Sequence, residues 1–308
     1  MTNQAQHIPV LVRELVEGIA PKKGGCYVDC TTGGGGHAAA VLEASRPSGR
    51  LLGLDADPRA LATAETRLAP YAGRFELMNR NFAEVQAACS EYGYLNADAI
   101  YFDLGLSSLQ LAEQGRGFSF QHADPLDMRF GPEQSRTADE LVNEASVEEL
   151  ARVIWEYGEE SRSRAIARRI VARRPVQNSV ELAGIVAAAV PGPRQRIHPA
   201  TKTFQALRIW VNDELQVLQQ GLEQAVQVVR SGGRIAVIAW HSLEDRIVKQ
   251  WFQRESRDCI CPPGLPICMC GHQATLQTIT KRPMTPSTAE IEANPRSRSA
   301  KMRIAEKL

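Results

Sequence analysis

Val28-Asp29-Cys30-Thr31-Thr32-Gly33-Gly34-Gly35-Gly36-His37 links a short apolar run to an alanine-rich segment. Tyr27 and Val28 read as the end of a buried strand, Asp29 as its polar tip, and the residues from His37 to about Ser45 as a helix. The glycines between them let the backbone come close to a ligand, and the helix N-terminus behind them offers N–H groups. Strand, glycine turn and helix start is the arrangement by which a doubly wound α/β sheet holds a nucleotide-like cofactor.

The neighbouring segments repeat the rhythm. A helix over residues 10–20 precedes the glycine loop. Beyond it, Arg50 to Asp55, Phe75 to Met78 and Asp98 to Asp103 predict three further strands, with helices over 59–68 and 83–92. This alternation indicates a parallel sheet with helices on both faces. Asp55 lies 22 residues beyond Gly33, near the spacing at which a second-strand acid meets ribose hydroxyls. Because Asp57-Pro58 opens a helix just after it, an N-cap role is the competing reading of Asp55.

From Gln114 to about Ala200 no buried strand can be found. Apolar spacing predicts helices over 146–157, 162–173 and 180–190, the last capped by Asn178 or Ser179 and ended by Pro191-Gly192-Pro193. The expected organisation is a core over 1–112 and 203–308, with an inserted all-helical domain over 113–202. From Thr203, Phe204, Leu207, Val211, Leu215, Leu218, Leu222, Val226 and Val229 recur by threes and fours, predicting one long helix back to the sheet. Arg234 to Trp240 is the fifth strand, and His241-Ser242-Leu243-Glu244-Asp245 follows where open α/β sheets place their sites. Leu276 to Ile279 and Ala300 to Ala305 are short enough to be edge strands.

Hydrophobic residues make up 44% and charged residues 23% of the 308, as in globular proteins. The apolar runs fall well short of the ~20 residues that a membrane helix needs. Residues 1–9 contain no apolar signal core, and seven cysteines, an odd number, fit a reducing compartment. The expectation is a cytoplasmic protein with no membrane partner. The net charge of +1 conceals a strong pattern: nine acidic and two basic residues over 133–160, then ten basic residues against Glu181 over 161–208. Arginines dominate that second stretch, and their forked guanidinium groups suit phosphate. A solvated face paired with the acidic stretch is the alternative.

A glycine loop is shared by NAD enzymes, flavoproteins, methyltransferases and non-catalytic relatives. Three details favour S-adenosylmethionine. Asp29 at the strand end can receive an ammonium, which NAD lacks. The loop holds no Lys or Arg for a pyrophosphate. Asp103 is followed by Leu104-Gly105-Leu106-Ser107-Ser108, polar groups where a methyl acceptor should lie.

With these residues in view, the chain resembles the ribosomal RNA small subunit methyltransferase H family. The matching stretches are His7 to Leu11, Asp29 to His37, Asp103 to Ser108 with Gln110 and Leu111, Arg116 to Phe120, Pro125 to Arg129, Tyr157 to Glu160, His198 to Gln205, Arg208 to Asn212, His241 to Arg246 and Asn294 to Arg296. Ala112 and Leu109 depart from the family pattern, which often has Asp and Pro there. The resemblance implies a Rossmann-like class I S-adenosylmethionine-dependent methyltransferase that methylates N4 of a cytidine in the decoding centre (P site) of 16S ribosomal RNA, in the small subunit. It implies that Gly35, Gly36, His37, Asp55, Phe82, Asp103 and Gln110 line the cofactor, and that the inserted helices help to recognise RNA.

The amine of cytosine is a poor nucleophile, because its lone pair is delocalised into the ring. Asp103, or a carbonyl of Leu104-Gly105, is the candidate to accept its protons; a purely cofactor-binding Asp103 is the equal alternative. Ser107, Ser108, His241, Arg168 and Arg169 are candidates for substrate contact. His37 and His241 are read either as proton shuttles or as structural hydrogen-bond partners. Cys259, Cys261, Cys268 and Cys270 fall within 12 residues, so four thiolates can converge on one structural zinc, with His272 as a further donor. Free thiols or a redox-labile pair are the other readings, and no open ligand set suggests a catalytic metal.

Overall fold

The strands β1 (Cys26–Asp29), β2 (Arg50–Asp55), β3 (Phe75–Asn79), β4 (Ala97–Asp103), β5 (Val229–Ala239), β6 (Leu276–Thr278) and β7 (Lys301–Lys307) form one sheet in the order β3-β2-β1-β4-β5-β7-β6. The computed structural model describes residues 9–106, 110–111, 114–190, 198–262 and 267–308. The first five strands run parallel to one another, whereas β7 runs antiparallel to both β5 and β6. This is a Rossmann-like sheet. One expectation fails: β7 is not an edge strand but lies between β5 and β6. Its Met302, Arg303, Ile304 and Ala305 are all buried, so it is covered on both faces.

Period-two alternation divides the strand side chains between two cores. Val28, Leu52, Leu54, Ile100, Phe102, Ile235 and Val237 point to one face of the sheet. Tyr27, Leu51, Ala99, Tyr101, Ala236 and Ile238 point to the other. Helices α1 (Val12–Ile19) and α2 (Gly36–Ala44) cover the second face through Leu15, Ile19, Val41 and Leu42, and α3 (Pro58–Leu68) adds Leu68. Helix α4 (Val85–Tyr92) covers the first face through Val85, Ala88 and Cys89. A fully buried Leu or Phe contributes about 1.5–3 kcal/mol, so both faces are strongly specified.

The chain divides into two compact units, one of residues 1–105 and 215–308, the other of residues 106–214. The second unit contains α5 (Ala138–Asn143), α6 (Val147–Gly158), α7 (Ser163–Val171), α8 (Ser179–Ala189) and α9 (Thr201–Asn212). Leu150, Ile154, Ile166, Ile170, Leu182, Val186 and Leu207 form its core. Ser146 caps α6 and Asn178 caps α8, each accepting from the N–H three residues on. Ser179 is the buried alternative; its hydroxyl donates to the His122 carbonyl at 2.6 Å.

The single helix expected from Thr203 to Val229 is two. Asp213, in the left-handed region at φ 47°, separates α9 from α10 (Glu214–Val228). The apolar spacing runs through the break because it serves two cores in turn. Phe204, Leu207 and Val211 pack in the helical unit, while Leu218, Leu222 and Val226 pack on the sheet. The second unit therefore extends beyond residues 113–202 to include α9. Buried Asn212 fixes the end of α9: its amide donates to the carbonyls of Met128 at 2.8 Å and Arg208 at 2.9 Å and accepts the Phe130 N–H at 2.8 Å. The Asn212→Leu variant keeps the branching and heavy-atom count of the side chain but orphans the Met128 carbonyl and the Phe130 N–H. Urea denaturation should show a loss of about 2–4 kcal/mol; a loss below about 0.5 kcal/mol would mean that water replaces the amide.

Candidate active site

In a parallel sheet the carboxyl ends of β1, β2, β3 and β4 lie along one edge, and the strand order reverses at β1 and β4. All four end in a polar side chain: Asp29, Asp55, Asn79 and Asp103. Asp55 Oδ2 accepts the Gly33 N–H and Oδ1 the Asp57 N–H, both at 2.8 Å, tying the glycine turn to β2. The capping role falls to Asp57, which accepts the Arg59 N–H at the start of α3. Thr31 Oγ1 accepts the Asp103 N–H at 2.6 Å, tying the same turn to β4. Gly33 and Gly35 take φ values of +53° and +75°, and α2 begins at Gly36 without a side-chain cap. Its first-turn N–H groups are left without a capping side chain, as a site for an anionic or polar ligand requires.

Asp103 has a side-chain neighbour at each oxygen. Oδ1 accepts the Trp240 indole N–H at 2.9 Å, and Oδ2 lies 3.5 Å from His37 Nδ1. His37 is buried, and its Nε2 sits 2.9 Å from the Val10 carbonyl, which can only accept. That bond places a proton on Nε2, so Nδ1 carries one towards Asp103 only when the ring is cationic. The Trp240 N–H donates to Glu244 Oε2 at 2.7 Å, and Glu244 is itself buried. Sequence reasoning passed over Trp240 and Thr31 as parts of the site. The position of Trp240, one residue past β5 and beside the His241-x-x-Glu244 capping pattern, was the available signal.

Asp29 is almost wholly buried, and its Oδ1 accepts the Thr31 N–H at 3.1 Å. Its Oδ2 has no partner in hydrogen-bonding geometry among the described residues. Tyr101, its registered neighbour on β4, favours the charged form without reaching that geometry. Burial pushes the Asp29 carboxyl up to about 8, against the pull of the Thr31 N–H and the Tyr101 phenol. An orphaned buried carboxylate oxygen beside a glycine turn fits a ligand that brings a cation.

The chain matches the model of the MraW methylase family over residues 4–308. A ribosomal RNA small subunit methyltransferase H of Thermomicrobium roseum is 53% identical, the alignment covering 98% of this chain and 94% of the relative. One of Dehalococcoides mccartyi is 53% identical over 98% of this chain and 86% of its own length. One of Symbiobacterium thermophilum is 50% identical over 98% and 96%. This chain belongs to the MraW methylase family. It is a methyltransferase.

Several residues expected to act in this family member meet at the strand ends: Gly35, Gly36, His37, Asp55 and Asp103. The two glycines also serve packing, since a Cβ on Gly35 would lie 3.2 Å from Ala64 of α3 and one on Gly36 would lie 2.8 Å from Pro9. Phe82, after β3, stands edge-on to Phe102 with centroids 5.4 Å apart, and is half-buried. Gln110 is buried within residues 106–214. Ser107, Ser108, Leu109 and Ala112 lie outside the described residues. His241 is the N-cap of α11 (Ser242–Glu255), its side chain accepting the Glu244 N–H while Glu244 reaches back to the His241 N–H. That reciprocal cap accounts for it structurally. Arg168 and Arg169 are exposed on α7. No helix among the described residues is long and apolar enough to cross a membrane.

The buried Asp29 has a pH signature. Its native state holds a proton more tightly than the unfolded chain, so its stabilising effect is complete at low pH and is lost as pH rises through about 8. Wild type should lose stability relative to Asp29→Asn from about pH 4 to about pH 8, and no further above it. Urea midpoints across that range measure the difference; a constant difference would show that Asp29 ionises as freely in the folded state as in the unfolded one.

Proposed function

We propose that this protein transfers a methyl group from S-adenosylmethionine to N4 of a cytidine in the decoding centre of 16S ribosomal RNA, in the small subunit and therefore in the cytoplasm. Family membership supports the reaction class, and the similarity to ribosomal RNA small subunit methyltransferases H supports the small-subunit RNA. The observation that carries the chemistry is the Asp103 carboxylate, held by Trp240 and set beside His37 at the strand-order reversal. When bound, the cofactor supplies a methyl group already activated on a sulfonium. Asp29, Asp55, the glycine turn and the start of α2 are the groups suited to its ammonium, ribose hydroxyls and carboxylate. Asp103 accepts the N–H of the target amine, drawing the lone pair out of conjugation and taking up the charge that develops. The fixed Trp240 indole keeps that carboxylate from turning away.

Transfer of labelled methyl to small subunits from a strain lacking the enzyme tests this reading; no label at a cytidine N4, beside an active control enzyme, would end it. In the same assay Asp103→Asn should lower kcat by about 10²-fold or more with cofactor affinity changed far less. Trp240→Phe should cost about tenfold, the worth of one charge-assisted hydrogen bond. An Asp103→Asn enzyme of full kcat would confine Asp103 to the cofactor.

For the RNA, the basic stretch sorts into two kinds of residue. Arg174 donates to the carbonyls of Val142 and Ala145, Arg208 forms a bidentate pair with Glu214, and Lys202 donates to the Glu159 carbonyl. These three hold the helical unit together. Arg164, Arg168, Arg169 and Arg173 are exposed and make no ion pair among the described residues. Arg164 and Arg168 line a groove of about 710 Å³ with Arg152, Ser161 and Trp155, whose ring is 62% exposed on α6. Cations beside an exposed indole suit a nucleic-acid backbone with a stacked base. Arg164→Gln with Arg168→Gln should reduce the slope of log affinity against log salt by about two, and Trp155→Ala should weaken binding by about 1–3 kcal/mol at every salt concentration. An unchanged slope would leave this face outside the RNA contact.

A further inference from the structure

Between α11 and β6 the chain carries two matched segments, Cys259-Ile260-Cys261 and Cys268-Met269-Cys270. Their four Sγ atoms all lie within 4.8 Å of one another. Cys268 and Cys270 are 3.5 Å apart at sulfur, and Cys270 and Cys259 3.8 Å. Hydrophobic burial does not explain this gathering. Cys259, Cys268 and Cys270 are exposed, and the apolar residues of the loop face solvent: Ile260 is 37%, Ile267 74% and Met269 84% accessible. Nor are the spacings those of disulfides, which bring sulfurs to about 2.05 Å. Neutral thiols are weak donors and weak acceptors, so they supply little force to hold four side chains together.

The spacings match a tetrahedron around a metal. Sulfurs about 2.3 Å from a central zinc stand about 3.8 Å from each other. The main chain is arranged for anionic sulfur as well. The Ile260 N–H donates to Cys270 Sγ and the Met269 N–H to Cys261 Sγ, both at 3.4 Å. In each segment the middle residue thus donates to the second cysteine of the other segment, a reciprocal pattern with approximate two-fold symmetry. His272, the further donor suggested by the sequence, sets its Nε2 3.2 Å from the Arg254 carbonyl and stands outside the sulfur group. At the base of the loop, Thr275 N–H donates to the Glu255 carbonyl and its hydroxyl to the Glu255 carboxylate.

We propose that Cys259, Cys261, Cys268 and Cys270 bind one Zn²⁺ as a closed tetrathiolate site that cross-links the connection between α11 and β6. Four Zn–S bonds form, the four thiol protons pass to solvent, and no electron is transferred. Soft tetrahedral sulfur ligation selects zinc among the common divalent ions. With all four positions filled by protein, the ion has no place for water or substrate, so its role is structural and separate from methyl transfer.

Metal analysis of full-length protein, reduced, incubated with Zn²⁺ and desalted, should find about one zinc per chain in wild type and in Cys26→Ala. The Cys261→Ser/Cys268→Ser variant should retain less than about a tenth of that. Should this variant precipitate, cobalt-substituted wild type decides the question. Thiolate charge-transfer bands with intense tetrahedral d–d absorption support the site; weak octahedral absorption overturns it. A wild type with seven titratable thiols and no retained zinc, a stoichiometric iron content, or a double variant that keeps its full equivalent of zinc would each overturn the proposal.

Discussion

Backbone N–H groups that need acceptors at the carboxyl edge of the sheet constrain everything built there. The turn after β1 cannot be both open to a ligand and satisfied by its own main chain, so side chains at the ends of β1 and β2 supply the missing acceptors, and the turn's own Thr31 supplies one to β4. Asp29 takes the N–H of Thr31, Asp55 takes those of Gly33 and Asp57, and the Thr31 hydroxyl takes that of Asp103. These bonds run from β2 through β1 to β4, across the point where the strand order reverses. Removing one would free a donor and also loosen the turn that shapes the cradle.

The same physics explains which parts of the molecule were legible in the sequence. Strands end in acids because the edge needs acceptors, so Asp29, Asp55 and Asp103 could be read directly. The glycine run and the change from period two to helical spacing after residue 113 marked the sheet and the inserted helices. Tertiary choices were not legible. The apolar spacing through Asp213 is continuous although it serves two cores, and nothing local shows that Asn212 is committed to Met128 and Phe130. The place of β7 between β5 and β6 follows from pairing rather than composition. Trp240 was missed because an indole donor matters only once its acceptor, some 137 residues away in sequence, is known.

Charge patterning misleads in a related way. A run of ten basic residues suggests a uniform phosphate surface, yet burial removes some of them from that role. Arg174 and Arg208 exchange water for carbonyls and a carboxylate inside the helical unit, where a guanidinium organises several acceptors at once. Among the described residues, Arg164, Arg168, Arg169 and Arg173 keep their charge exposed and unpaired. The proposed RNA contact therefore rests on a few arginines and one exposed tryptophan, and the formal charge of the segment overstates it.

The indole bond to Asp103 bears on what this carboxylate can do in the proposed reaction. A carboxylate is a weak base, and this one already has an oxygen engaged by the indole N–H. Weak basicity is no handicap here. The exocyclic amine becomes strongly acidic only as its nitrogen gains the methyl group and a positive charge, so a carboxylate suffices to receive the proton afterwards. Before that moment the need is for a fixed acceptor that orients the N–H bonds. Trp240 provides the fixing, anchored through its backbone to Glu244, and His37 is set beside the carboxylate by its Nε2 bond to the Val10 carbonyl. Orientation is thereby built into the folded protein before the base arrives, and binding the RNA need not supply it.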